Sequence, residues 1–284
     1  MIRPALLLVD LSYQSYRAAA SHANLTAADG TFTGGVYGFM MSVCKIIIDN
    51  RVDKVVVCED VKPYVRSLEY PEYKNVRRKQ MDVKAEEIRD KHIASLPLIK
   101  EMLDIAGIPV MGVKGYESDD CIGYVVRQHR GRYRRIIAAS NDSDLFPMLK
   151  FPNFAICKKS DASDLYTLDS LREEFPGLEP DDLSMVSALM GTHNDIEGIK
   201  GVGPKTATKA VQTPGLLRQY REQWSDLIDR NLRLIRLPHP TFPRMAIPGR
   251  TRTYKSRDLV KWCSMFDITT TRHMDEAFEQ VSGQ

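Results

Sequence analysis

Asp10 closes the apolar run ALLLV, and Glu59 and Asp60 follow KVVVC. Glu117, Asp119 and Asp120 lie in GYESDD, Asp142 and Asp144 follow IIAASN, and Asp195 lies in GTHND. Counting one acid from the Glu59–Asp60 pair, eight carboxylates stand where short apolar runs stop. In an open parallel sheet, side chains just past the carboxyl ends of the strands face one crevice, so acids far apart in the chain can share a site. Two unit charges about 4 Å apart repel by roughly 4 kcal/mol at an effective dielectric near 20, so such a cluster requires divalent cations or protonation. Oxygen ligands without clustered His or Cys point to hard ions, Mg²⁺ or Mn²⁺. A pair of such ions is the usual device for in-line attack on a phosphodiester.

Each acid also has a plainer reading. Asp119 and Asp120 can cap a helix over Cys121 to Gln128, Asp10 can cap the end of its strand, and Asp142 and Asp144 fit a turn. Their recurrence at successive strand ends favours a shared site, because turns have no reason to be acidic every time. The six histidines are scattered. His193, between Thr192 and Asp195, reads as a supporting or surface residue.

The elements that would position these acids follow from periodicity. Ala5 to Val9, Val55 to Cys58, Ile108 to Val113, Arg135 to Ala139 and Phe154 to Cys157 are short aliphatic runs bounded by turn residues and read as buried strands. Val36, Phe39, Met40, Val43, Ile46 and Ile47 recur at helical spacing, as do Ile93, Leu96, Ile99, Met102 and Leu103. Pro97 predicts a helix start or kink near Ser95. Strands alternating with helices predict an α/β parallel sheet. Val61 to Asp90 breaks the rhythm: it is polar and basic, carries Tyr64, Tyr70 and Tyr73, and is expected to project from the sheet. After Pro180 the pattern becomes helical. The Pro-rich stretch within Leu237 to Arg252 reads as irregular chain, and a last helix is expected near Ser256 to Phe266.

A chain of 284 residues with 43% hydrophobic content can bury a full core and suits one large domain plus a smaller one. No apolar run approaches the about 18 residues of a membrane span, and ALLLV is too short for a signal peptide. The cytoplasm is the expected compartment. The five cysteines, Cys44, Cys58, Cys121, Cys157 and Cys263, form no CxxC and read as reduced core thiols. Net charge is only +3, but basic residues concentrate in Arg66 to Lys79, Arg130 to Arg135 and Arg230 to Lys261. Any one run can be a solvated face. An anionic centre with cationic surroundings suits a polyanion held at the surface and cut by metals.

The run Gly198-Ile-Lys-Gly-Val-Gly-Pro-Lys205-Thr206 is a glycine hairpin that opens a helix. Free N–H groups at that helix start can hold a phosphate beside Lys205. A helix C-cap followed by a Pro-started helix explains the same residues without a ligand.

Together these motifs resemble the flap endonuclease and 5′-to-3′ exonuclease family, especially its compact bacteriophage members of the RNase H type. LLLVDLSY resembles the family's first strand and aspartate, VRSLEYPEYKNVRRK its arch, GYESDD its Gly-x-Glu-x-Asp-Asp, and SNDSDLFPML its Asp-x-Asp. MGTHNDIEGIKGVGPKTA resembles its last aspartate and helix-hairpin-helix. The resemblance runs from about Leu6 to Ala210. It implies a PIN-like catalytic domain over 1–178 with an arch at about 61–95, then a helical helix-hairpin-helix duplex-binding domain with a C-terminal extension over 179–284.

The resemblance further implies that Asp10, Glu59 or Asp60, Glu117 and Asp119 hold a first metal, with Asp60 preferred because VKPYVR matches phage arch entries. Asp120, Asp142, Asp144 and Asp195 complete the site around a second metal, and Lys74 and Arg66 steady the phosphate. Tyr73, Arg77, Arg78 and Lys79 of the arch and Gly198, Gly201, Gly203, Lys205 and Thr206 of the hairpin contact DNA, with K⁺ at the hairpin. Tyr73 either stacks on a base or anchors the arch. The implied activity is metal-dependent hydrolysis at 5′ ends of duplex, flap or RNA–DNA hybrid, by a monomer. Thr192 departs from the pattern, because the family usually carries an aspartate there. Two rival readings remain: a PIN-domain ribonuclease, and a structure-specific DNA-binding protein with a degraded site.

Overall fold

The computed structural model describes residues 3–75, 83–158 and 162–283. Five aliphatic runs form one parallel sheet: β1 (Ala5–Asp10), β2 (Lys54–Glu59), β3 (Val110–Gly112), β4 (Arg135–Ala139) and β5 (Phe154–Ile156), in the order β3-β2-β1-β4-β5. Helices cover both faces, which is why β1 is buried along its whole length and reads as an unbroken apolar run. The two-residue strand period divides its side chains. Leu7 and Val9 join Val55, Val57, Ile137 and Ala139 in one core, and Leu6 and Leu8 join Val56, Cys58, Ile136 and Ala138 in the other.

The first core is closed by α1 (Leu11–Ser21), α2 (Gly34–Asp49) and, after the short α3 (Val65–Glu69), by α4 (Val83–Ile105). The apolar stripe of α2 is buried from Val36 to Ile47 as its spacing predicts. Helix α4 does not start at Ser95 but runs on through Pro97. Ser95 Oγ donates to the Lys91 carbonyl at 2.7 Å, and Ile99, Met102 and Leu103 beyond the proline are fully buried. Burying three such side chains, at about 1.5–3 kcal/mol each, exceeds the roughly 3 kcal/mol that an interior proline costs.

The second core lies under α5 (Ser118–His129) and the 3₁₀ helix Ser143–Lys150. Helices α6 (Leu168–Glu174), α7 (Pro180–Met190), α8 (Pro204–Gln212) and α9 (Pro214–Ile235) follow, and α7, α8 and α9 enclose a separate apolar cluster around Leu189, Ile199, Ala207 and Ile228. Leu237 to Ile247 then crosses the second core as irregular chain, where Tyr116 Oη donates to the Thr241 carbonyl and Tyr124 Oη to that of Met245.

The C-terminal extension packs on the first core. Helices α10 (Ser256–Met265) and α11 (Arg272–Ser282) return to the sheet, burying Leu259, Trp262, Met274 and Phe278 in the first core. The expectation that Val61 to Asp90 projects from the sheet is corrected for its first half only. Residues 61 to 75 are folded back, with Arg66 and Tyr73 buried and Tyr73 packed on Ile196 and Leu234, because the tyrosines supply apolar surface that a charge count overlooks. The start of α4 is largely exposed, Val83 at 83%. Among the described residues no helix is long and apolar enough to cross a membrane.

Phe278 is fully buried and meets Tyr254 edge-on with centroids 5.5 Å apart. Phe278→Ala is expected to lower unfolding free energy by about 3–5 kcal/mol. In urea denaturation followed by circular dichroism, the main transition shifts as a whole; a separate early transition with the main one unmoved would show that the C-terminal helices are not part of this core.

Candidate active site

The chain leaves β1 on one side of the sheet to build β2 and β3 and returns on the other side to build β4 and β5, so β1 and β4 are neighbours at a switch point. Crevices open at such points beyond the carboxyl ends of the strands. A cleft of about 590 Å³ lies here, lined by Asp10, Asp60, Glu117, Asp119, Asp142 and Lys74.

Asp10 ends β1 and caps α1, accepting from the Tyr13 N–H at 3.1 Å. Its carboxylate also accepts from Ser118 Oγ and Ser140 Oγ, each at 3.1 Å. Asp60 accepts from Ser12 Oγ at 2.5 Å and from the Ser118 N–H at 2.8 Å. These hydroxyls were not singled out by sequence reasoning, although each lies within two residues of an acid of the cluster. Burial, then Asp60, pushes Asp10 up to about 7 against the opposing hydrogen bonds. Asp144 is likewise pushed up to about 7 by burial and by Asp142, with Lys74 pulling the other way. Burial, Asp142 and Asp10 raise Asp119 well above the carboxylate range, and its buried Oδ1 has no hydrogen-bond partner among the described residues.

Two cations answer this charge. Arg66, only 3% exposed, donates to Asp120 at 2.5 and 2.8 Å, to Glu117 Oε2 at 3.2 Å, and to the carbonyls of Leu234 and Arg236 at 2.6 and 3.1 Å. Lys74 Nζ meets Glu117 Oε1 at 2.5 Å, and Tyr73 Oη donates to Glu117 Oε2 at 2.7 Å. Burial works against the charge on Lys74, but Glu117, with Asp119 and Asp60 behind it, outweighs that and raises its pKa.

These contacts reassign several residues. Asp120 accepts from both Arg66 nitrogens and from the backbone N–H groups of Glu117 and His239, so its oxygens are occupied: it ties α5 to Arg66 and does not face the cleft as a free ligand. Arg66 is buried and does not line the cleft. Tyr73, 5% exposed, anchors the segment and offers no ring face to a base. Glu59 turns to Lys100 at 2.5 Å, leaving Asp60 as the acid in the cleft. Asp195 does not line the cleft either; the preceding Asn194 reaches the cluster, its Nδ2 donating to Asp144 Oδ2 at 3.2 Å. His193 lines the cleft wall.

At the glycine hairpin, Gly198 is required by close packing, since a Cβ there would lie 2.2 Å from the Met190 carbonyl carbon. Gly201 (φ +82°), Gly203, Lys205 and Thr206 are exposed at the turn and the start of α8. Arg77, Arg78 and Lys79 lie outside the described residues.

The donor set fits hard divalent cations: all oxygen, partly protonated without them, with one buried oxygen unpaired. Among the described residues no three acidic, His or Cys side chains already form a ligand shell. Lys74 instead supplies the positive charge nearest Glu117.

Residues 5–176 match the model of the 5′–3′ exonuclease N-terminal, resolvase-like domain. The chain belongs to the 5′–3′ exonuclease family. It is 30% identical over 221 residues to the 5′–3′ exonuclease of Aquifex aeolicus, covering 77% of this chain and 73% of that one. It is 31% identical over 228 residues to the DNA polymerase I of Chloroflexus aurantiacus, where the match spans 78% of this chain but only 23% of the polymerase. In fold it is similar to the bacteriophage T5 flap endonuclease, solved with DNA and metal ions, with a TM-score of 0.68 at 17% identity over 98% of this chain and 97% of that one. The parallel sheet is that of the PIN-like 5′-nucleases.

Asp10 and Asp144 bind protons up to about pH 7 in the folded exonuclease-family chain, whereas unfolded aspartates release them near pH 4. The folded state therefore holds the extra protons in that window, and stability falls as pH rises from about 4 to about 7. Without divalent ions the melting temperature is expected to drop by several degrees across this range, and Mg²⁺ to raise it far more at pH 8 than at pH 5. Asp10→Asn should flatten the slope; equal slopes in the parent and this variant would contradict the electrostatics.

Proposed function

We propose that this chain is a divalent-metal-dependent 5′-nuclease that hydrolyses phosphodiester bonds at 5′ ends of DNA duplexes, flaps and RNA–DNA hybrids. The observation that carries this reading is the convergence of Asp10, Asp60, Glu117, Asp119 and Asp142 on one cleft with Lys74 among them and the buried Asp144 beside Asp142. Asp10, Asp60, Glu117 and Asp119 would hold one cation, and Asp142 and Asp144 a second, with Mg²⁺ or Mn²⁺ favoured by the oxygen donors. A bound pair supplies charge neutralisation and an activated water for in-line attack on phosphorus. Lys74, a quarter exposed at the cleft, is placed to meet a phosphate that displaces Glu117 from its ammonium.

Helices α7 to α9 act in this reading as the duplex-binding unit, joined to a catalytic unit formed by the sheet and its helices. The exposed turn from Gly201 to Thr206 tracks the phosphate backbone, with K⁺ held there. The T5 relative solved with DNA and metal ions supports the substrate class and the cofactor class. Because the chain spans about a quarter of its polymerase relatives, polymerisation is not carried over.

Release of 5′ label from matched flap, nicked, gapped and hybrid substrates tests this reading, and no Mg²⁺-dependent release from any of them would overturn it. Asp144→Asn is expected to reduce cleavage by about 100-fold or more while duplex binding persists; near-normal turnover would contradict the site. Thr192→Asp puts a carboxylate on the hairpin whose Asn194 reaches Asp144 and is expected to lower the Mg²⁺ concentration for half-maximal rate. An unchanged Mg²⁺ curve would remove Thr192 from the account of metal affinity.

A further inference from the structure

Thr192 does not turn toward the carboxylates. Its Oγ1 accepts from the Asn194 backbone N–H at 3.2 Å and its own N–H donates to the Ile196 carbonyl at 3.0 Å, so the hydroxyl closes the hairpin between Gly191 and Glu197. The residue delivered to the cluster is Asn194. Its side chain is 2% exposed, its Nδ2 lies 3.2 Å from Asp144 Oδ2, and its Oδ1 is buried with no hydrogen-bond partner among the described residues. The hairpin that carries it is rigidly held. Gly191 sits at φ +85°, Gly198 packs against Met190, and Asn231 Nδ2 donates to the Ala188 and Glu197 carbonyls at 2.8 and 2.9 Å. The Asn194 carbonyl also accepts from the Lys74 N–H at 2.9 Å, so the same residue fixes the backbone of Lys74.

A buried amide oxygen left unpaired costs about 1–3 kcal/mol, and protein interiors rarely retain one without a use. An amide presents either its nitrogen or its oxygen to the same point by a half-turn of its terminal bond. Beside a bare carboxylate the nitrogen faces inward, as it does here. Beside a carboxylate that carries a cation the preference reverses, and the half-turn sacrifices one hydrogen bond while giving the unpaired oxygen a partner. The geometry points to Asn194 as a neutral oxygen ligand of the cation held at Asp144, in place of the carboxylate that position 192 lacks. This rests on the metal-dependent reading above and specifies its second position. Side-chain amide oxygens are ordinary ligands of hard cations, and a ligand of lower charge gives a weaker, more readily exchanged site.

Mg²⁺ and Mn²⁺ binding to the DNA-free full chain, measured by titration calorimetry with melting curves as the folding control, tests the assignment. Asn194→Leu keeps the shape and removes the oxygen, and is expected to weaken the second dissociation constant about 10-fold. Asn194→Asp adds charge at the same point and is expected to tighten that constant, a gain that local disruption does not produce. Unchanged affinity in Asn194→Asp overturns the assignment even where Asn194→Leu fails to fold. If the parent chain binds no divalent cation, the metal-dependent reading falls and this inference falls with it; if the parent binds and both variants match it, this inference alone falls.

Discussion

Carboxylates withdrawn from water have to be neutralised, and this chain does so with two cations at different depths. Arg66 lies under the cluster, with its donors committed to Asp120, Glu117 and two backbone carbonyls. A guanidinium stays charged at any accessible pH and fits a carboxylate with two parallel bonds, so it suits a permanent floor. Lys74 stands at the mouth on a single short contact to Glu117 and remains partly open to solvent. An ammonium on a flexible stem can change partners as the charge in the cleft changes. The floor thus sets the position of Glu117 and Asp120, and the mouth is left to respond to what enters.

Between these depths the acids are spaced by hydroxyls. Ser12, Ser118 and Ser140 each donate to Asp10 or Asp60, which holds the carboxylates in defined orientations without neutralising them. An arrangement that replaced these serines by more lysines would be better balanced on its own and a poorer receiver of divalent cations. The raised pKa values of Asp10, Asp119 and Asp144 reflect the same choice, because a site too well neutralised by protein groups would not retain protons.

The sheet was legible in the sequence because strands buried on both faces are aliphatic throughout and stop abruptly at a polar residue, which at β1 and just beyond β2 and β4 is also an acid of the cluster. Asp10, Asp60, Asp142 and Asp144 could be read for that reason. Asp120 could not be separated from Glu117 and Asp119, since its distinction is a pairing with Arg66 across 54 residues of chain. The same limit hid the burial of Tyr73 and the return of α10 and α11, whose apolar stripes reveal a buried face but not the surface it meets. Asn194 left almost no signal. A small polar residue before an acid in a glycine-rich hairpin reads as a turn, and only its burial against Asp144 marks it out.

The floor of the cleft is also the seam between the sheet and the helices that follow it. Carbonyls in the last turn of a helix have no partners within the helix and carry its negative dipole end. At the end of α9 the Leu234 and Arg236 carbonyls are satisfied by Arg66, the same guanidinium that holds Asp120 at the start of α5. Tyr73, beside Lys74, is packed on Ile196 and Leu234 from the helical side. A displacement of α9 or of the Gly191–Glu197 hairpin therefore cannot leave Glu117, Lys74 and Asp144 where they are. The acids come from the sheet, but their spacing is fixed jointly by both parts of the chain.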